Sequence, residues 1–196
     1  MNLVIIGHVD SGKSTLSGQI LLKNGVFTNH QLQKNERKAE INNKAGFELA
    51  YFMDETEEEQ ERGVTIEVTT RHFTTPNRSF SILDAPGHRD FIANMITGAS
   101  QANCGILVVD SMPGQFERGW AVGEKTGTTK EHALLARSLG VVQLIVAMNK
   151  MERCDYSEER FNELRDIIRP YLVRKGFKPN DIYFVPISAI ADQNVT

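Results

Sequence analysis

The chain has 196 residues, 40% of them hydrophobic and 24% charged, which is enough apolar material for one well-packed domain. A formal net charge of -3 argues against holding nucleic acid by a bulk positive field, so any RNA contact has to be local. Cys104 and Cys154 form no Cys-x-x-Cys and have no His at ligand spacing, which excludes a disulfide framework or a zinc site and fits a reducing compartment. The longest apolar runs, 105–109 and 141–148, are too short to cross a bilayer, and the first residues lack a basic stretch with a cleavage site. A cytoplasmic protein with no membrane association is expected.

Asn2 to Ile6 is a short β-branched run closed by Gly7, and Leu16, Ile20 and Leu21 then recur at helical spacing, which predicts strand, loop, helix. From Thr28 to Arg62 the sequence is polar and weakly periodic, with an acidic run from Asp54 to Glu61; this predicts a long mobile surface segment with at most short helices. Thr65 to Phe73 and Ser79 to Leu83 read as strands. The connection Thr74 to Arg78 is too short for a parallel crossover, so the two form an antiparallel hairpin whose first strand opens at Thr65. Gly105 to Asp110, Val142 to Asn149 and Ile182 to Ile187 read as buried strands, separated by helices around Asp90 to Ala99, Lys130 to Leu139 and Ser157 to Arg174. Pro170 is expected to kink or split the last helix. The expected architecture is α/β, a six-stranded, mostly parallel sheet with one antiparallel hairpin strand and helices on both faces, in one domain over residues 1–196.

Gly7-His-Val-Asp-Ser-Gly-Lys-Ser14 matches G-x-x-x-x-G-K-[ST] between a buried strand and a helix, the context of a P-loop NTPase. Its glycines let backbone N–H groups converge on phosphate oxygens while the helix N-terminus adds positive potential, so His8, Val9, Asp10, Ser11, Gly12, Lys13, Ser14 and Thr15 are the candidate phosphate cradle. Lys13 is expected to reach the β- and γ-phosphates and Ser14 to offer a hydroxyl to Mg²⁺. Asp84-Ala-Pro-Gly87 follows a strand at the edge where open α/β sheets bind ligands. Asp84 can hold the metal's water shell, Gly87 can bring an N–H to the terminal phosphate, and Thr65 supplies a second hydroxyl to the metal. Asn149-Lys-Met-Glu152 and Ser188-Ala-Ile190 end two further strands at the same edge. They resemble the base-reading motifs of GTPases. That resemblance implies that Asn149 fixes the base, the stem of Lys150 packs along its plane and Glu152 accepts from N1 and N2 of guanine, with Ser188, Ala189 and Ile190 in the same nucleotide-binding set.

Gly7 to Thr15, Glu61-Arg-Gly-Val-Thr-Ile66 and Asp84 to Gly98 together resemble the G domain of the elongation factor 1-alpha superfamily of translational GTPases, over essentially the whole chain. Within it, Met53-Asp-Glu-Thr-Glu-Glu-Glu59 and the loop from Gln115-Phe-Glu-Arg-Gly-Trp120 to Thr126-Gly-Thr-Thr-Lys-Glu-His132 are most similar to the ribosome-rescue GTPase that partners Pelota. The termination GTPase that partners the class-1 release factor comes second and elongation factor 1-alpha third. The resemblance implies a monomeric enzyme that binds GTP or GDP with Mg²⁺, hydrolyses GTP on the ribosome and delivers a tRNA-like protein factor. It gives His88 the role of orienting the attacking water behind an apolar gate of Val9 and Val64, and it puts a monovalent cation beside Asp10. It makes Thr28 to Val64 and Asp84 to Arg89 the switches that sense the γ-phosphate, and it implies β-barrel domains downstream of this chain. Delivery of aminoacyl-tRNA, or a nucleotide-binding switch with altered base specificity and little hydrolysis, are the alternatives. The second alternative arises because the family carries Asp where this chain has Glu152, whose carboxylate stands roughly 1.5 Å further from the backbone. Guanine is still expected over adenine, bound more weakly than the fold allows. Ser188 to Asp192 also lacks the later Gly of the family's form.

Overall fold

Short β-branched runs that lack a helical period supply the strands, and amphipathic stretches between them supply the helices that pack on the sheet. The structure, a computed structural model, describes residues 1–44, 46–54, 56–62, 65–87, 102–120 and 127–195. In chain order these form β1 (Asn2–Gly7), α1 (Lys13–Lys23), α2 (Asn29–Ile41), α3 (Glu57–Arg62), β2 (Thr69–Thr74) and β3 (Ser79–Asp84). They continue with β4 (Cys104–Asp110), α4 (Gln115–Trp120), α5 (Thr128–Ser138), β5 (Gln143–Asn149), α6 (Glu158–Arg174) and β6 (Ile182–Pro186). The six strands make one sheet in the order β2-β3-β1-β4-β5-β6, parallel throughout except for the antiparallel β2–β3 pair.

Strand periodicity divides the core into two layers. Val4 and Ile6 of β1, Leu107 and Val109 of β4, and Leu144, Val146 and Met148 of β5 pack with Ala133, Ala136, Leu164 and Ile168 of α5 and α6. The intervening Ile5, Ile106, Val108 and Ala147 pack with Leu16 and Leu21 of α1 on the opposite face. Both faces are therefore covered, and the free space gathers at the carboxyl ends of the parallel strands. Among the described residues no helix is long and apolar enough to cross a membrane.

Several local expectations change. The segment after Thr28 carries a 13-residue helix, α2, set by a capping box in which Thr28 and Gln31 satisfy each other's backbone N–H groups. Its one buried residue is Ala39, so helix-forming solvated side chains and the cap, rather than an apolar stripe, define it. Thr65 does not open a strand. The buried Glu59 carboxylate accepts the N–H groups of Ile66 and Glu67 at 2.9 and 3.2 Å, which diverts 65–68 from the sheet and delays β2 to Thr69. Asp54, read as part of a solvated acidic run, is 3% exposed. Gln115 to Trp120, read as loop, is a short helix held by the buried Phe116 and Trp120. Pro170 does not split α6, which runs unbroken because Leu164, Ile168 and Leu172 bury on both sides of it. The helix expected over Asp90 to Ala99 lies outside the described residues.

Candidate functional site

The site is built at the turn between β1 and α1. Gly12 caps α1 in the left-handed conformation (φ 92°), and no side chain caps the helix, so its first N–H groups face the opening. The approach here is close: a Cβ on Gly12 would stand 2.3 Å from the Asn149 Nδ2. Lys13 is buried, and its ammonium donates to the His8 carbonyl at 2.8 Å, closing the loop on itself. Burial holds its pKa below the ordinary lysine value against the opposing pull of Asp84, Asp10 and Asp54. Gly87 packs against this lysine, where a Cβ would come within 2.4 Å of Nζ.

Beside Lys13 lies a cluster of oxygens. Thr65 donates its hydroxyl to the Asp54 Oδ1 at 3.1 Å, so it accepts from the Ser14 hydroxyl, 3.0 Å away. Asp84 is completely buried, and among the described residues neither of its carboxylate oxygens has a hydrogen-bond partner. Burial pushes the Asp84 pKa up to about 6; the Lys13 charge and the Ser14 hydroxyl, which act without an aligned hydrogen bond, pull the other way. Asp54 rises to about 7, first by burial and then by the charge of Asp84, with the Thr65 hydrogen bond opposing both. Two carboxylates this destabilised, next to two hydroxyls, suit a hard cation that takes oxygen ligands and keeps waters. Among the described residues no group of three or more His, Cys, Asp or Glu side chains gathers around a point, so the set is a mixed one.

The other end of the opening is formed by the ends of β5 and β6. Asn149 donates from Nδ2 to the Ser11 carbonyl at 2.9 Å and accepts the Ala189 N–H on Oδ1 at 3.0 Å, tying three segments together. Lys150 adopts a left-handed backbone (φ 63°) and donates to the Asp10 carbonyl at 2.6 Å and to the Asp110 carboxylate at 2.7 Å. Glu152 follows on a short 3-10 turn, Met151–Cys154, with its Oε2 buried and unpartnered. Ser188 accepts the Ala191 N–H at 3.2 Å and pairs its backbone with Gln193, which shapes the turn that carries Ala189 and Ile190.

Both ends open into one cavity of about 580 Å³. Of the residues expected from sequence, Val9, Asp10, Gly12, Lys13, Ser14, Thr15, Thr65, Gly87, Asn149, Lys150, Glu152, Ala189 and Ile190 border it. His8, Ser11 and Ser188 do not. His8 and Ser11 contribute carbonyls to the frame, and the His8 ring turns away to make a close contact with the Thr128 hydroxyl. Asp84 lies behind the wall, fully buried. His88 and Val64 lie outside the described residues. Gly46, Phe47, Ala50, Asp54, Met112 and Arg153 also line the cavity and were not anticipated. For Asp54 the signal existed: it ends Leu49-Ala-Tyr-Phe-Met53, five consecutive apolar residues that a solvated loop would not carry, all of them buried.

The sequence matches the family of the elongation factor Tu GTP binding domain over residues 1–196. The chain belongs to that family. Elongation factor 1-alpha 2 of Euplotes crassus is 48% identical over 195 residues, covering 100% of this chain and 44% of that protein. The chain thus spans less than half the length of the curated relatives it matches. Among solved structures, Sup35 complexed with GDP is 35% identical with a TM-score of 0.66, covering 98% of this chain and 38% of that one. The GTP-bound Ski7 GTPase-like domain of S. cerevisiae is similar in fold, with a TM-score of 0.81 at 18% identity over 97% of this chain and 43% of that one. This elongation factor Tu-type domain, with its mostly parallel six-stranded sheet, therefore has the fold of P-loop GTPases.

Proposed function

We propose that residues 1–196 form the guanine-nucleotide-binding and GTP-hydrolysing domain of a translational GTPase. The observation that carries the reading is one cavity with Lys13 and the Ser14–Thr65 hydroxyl pair at one end and Asn149, Lys150 and Glu152 at the other. One end answers a triphosphate and the other a base with adjacent N–H donors. Ser14, Thr65 and Asp84 are the residues that fit Mg²⁺, which when bound neutralises charge on the β- and γ-phosphates. Lys13 holds the phosphates by charge, and Gly87 admits them close to the backbone. His88 orients the attacking water. Titration with GDP, GTP and ADP tests the reading: guanine nucleotides bind, ADP binds at least a hundredfold more weakly, and Lys13→Ala abolishes tight binding. Comparable affinity for ADP would overturn it. His88→Ala keeps GDP affinity and lowers only ribosome-stimulated turnover; an equal loss of affinity would remove the water-orienting role.

The delivered partner is a tRNA-like protein factor of the Pelota or class-1 release factor type, brought to a stalled or terminating ribosome in the cytoplasm. The resemblance of Met53 to Glu59 and of the loop from Gln115 to His132 supports this reading. Delivery of aminoacyl-tRNA is favoured instead by the 48% identity to an elongation factor 1-alpha. GTP turnover by the full-length protein on ribosomes separates the two, since a Pelota-type factor accelerates the first and aminoacyl-tRNA the second.

A further inference from the structure

Asp110 closes β4 directly beside Asn149, its register partner at the end of β5, and no motif of phosphate or base recognition claims it. Its carboxylate is fixed at both oxygens. Oδ1 accepts the Met112 N–H at 2.9 Å, and Oδ2 accepts the Lys150 ammonium at 2.7 Å, in a pair whose side chains are 10% and 29% exposed. The turn it sits in is itself held from outside, because the Ser111 carbonyl accepts from the Arg160 guanidinium at 3.0 Å and the Ser111 N–H donates to the Asn149 carbonyl at 3.0 Å. Lys150 thus has one acceptor on the P-loop, the Asp10 carbonyl, and one on β4; its ammonium is held between them, which anchors the far end of a four-carbon stem at the cavity wall.

We infer that Asp110 is a positioning residue: it holds Lys150 as a fixed apolar rail for the base, and so sets how slowly the nucleotide leaves. The inference rests on the guanine-nucleotide reading of the same cavity. A lysine side chain is rich in rotamers, and one carbonyl acceptor does not choose among them. A second, charged acceptor on a separate strand end does, and the rail is in place before the base arrives. Without the carboxylate the ammonium keeps one partner, the stem swings, and base contacts have to be ordered at each binding event.

Asp110→Asn isolates this role, because an asparagine oxygen still accepts from Met112 and only the charge facing Lys150 is lost. Release of a fluorescent GDP analogue, chased with excess GDP, is expected to become about tenfold faster in Asp110→Asn. Asp110→Glu, which keeps the charge, recovers most of the difference. In a Lys150→Ala background the Asn substitution adds less than about twofold, since there is no ammonium left to hold. Unchanged release in Asp110→Asn, or a full tenfold effect in the Lys150→Ala background as from a merely loosened turn, overturns the inference while leaving nucleotide binding intact. Failure of the wild-type chain to bind GDP would overturn the nucleotide reading, and this inference with it.

Discussion

Glu152 lines the cavity and keeps its Oε2 buried without a hydrogen-bond partner among the described residues. A buried acceptor in that state costs on the order of 1–3 kcal/mol until a donor arrives, and adenine offers none at the matching position. Its longer side chain has to fold back to meet N1 and the exocyclic amine of guanine, with a loss of rotamer freedom. Glu152→Asp is therefore expected to tighten GDP about tenfold, a gain on the order of 1–2 kcal/mol, with ADP still weak; isothermal titration with both nucleotides checks this. A second residue prediction concerns His132, which α5 buries completely and whose ring nitrogens meet no partner at hydrogen-bond geometry. Burial, reinforced by the charge of Lys13, pushes its pKa from 6.5 down to about 4, against a weaker pull from the Gly7 backbone. Between those two values the unfolded chain binds a proton that the folded chain refuses, so stability falls as the pH drops through that window. Comparing urea unfolding at pH 7 and pH 5, His132→Met should remove about 2 kcal/mol of the wild type's acid-side loss. Equal losses in both proteins would show that the histidine is not the group responsible.

Between α1 and the acidic cluster the contact is backbone on backbone. A Cβ on Gly18 would stand 2.1 Å from the Leu49 carbonyl oxygen, at the start of the 3-10 turn Ala50–Phe52 that leads into Asp54. Gly18→Ala is expected to push that turn off the helix, lowering the thermal midpoint by several degrees and loosening Asp54 and Thr65 together. Limited proteolysis reads the same element. With α2 burying only Ala39, cleavage between Thr28 and Arg62 should be faster with GDP than with a GTP analogue, and faster still in Gly18→Ala. Equal digestion in all states would remove the switch assignment. The elements that were legible in sequence are those in which local pattern and tertiary role agree. β1, β4 and β5 are apolar runs, and the P-loop is set by a turn that its own glycines dictate. α2 was hidden because a solvated helix leaves no apolar period, and its Thr28–Gln31 box is a short signal in polar surroundings. β-Propensity predicts a strand at Thr65, whereas the captor of its neighbours' N–H groups, Glu59, reads in sequence as one more residue of an acidic run. Burial of a charge is a tertiary event, and a run of like residues does not announce which member it will take.

For the molecule as a whole, the orphaned carboxylate of Asp84 and the raised pKa of Asp54 at about 7 are a local destabilisation that the proposed cation and nucleotide would remove. Thermal unfolding should show it. GDP with Mg²⁺ at about a thousand times its dissociation constant is expected to add about 4 kcal/mol, and chelation by EDTA to reverse much of the shift. A midpoint indifferent to EDTA in the presence of GDP would argue that Asp84 has no part in holding a cation. One further consequence follows from the double engagement of Asn149, which fastens the Ser11 carbonyl with one atom and the Ala189 amide with the other. The loop proposed to meet phosphates and the turn proposed to meet the base share a single hinge pin, so a cycle of substitutions across them should not sum. Glu152 sits on the 3-10 turn that follows this pin directly, and that turn is tied to the same strand ends by the Met151 N–H on the Ile187 carbonyl at 3.2 Å. A substitution at Asn149 is therefore felt at both ends of the cavity at once.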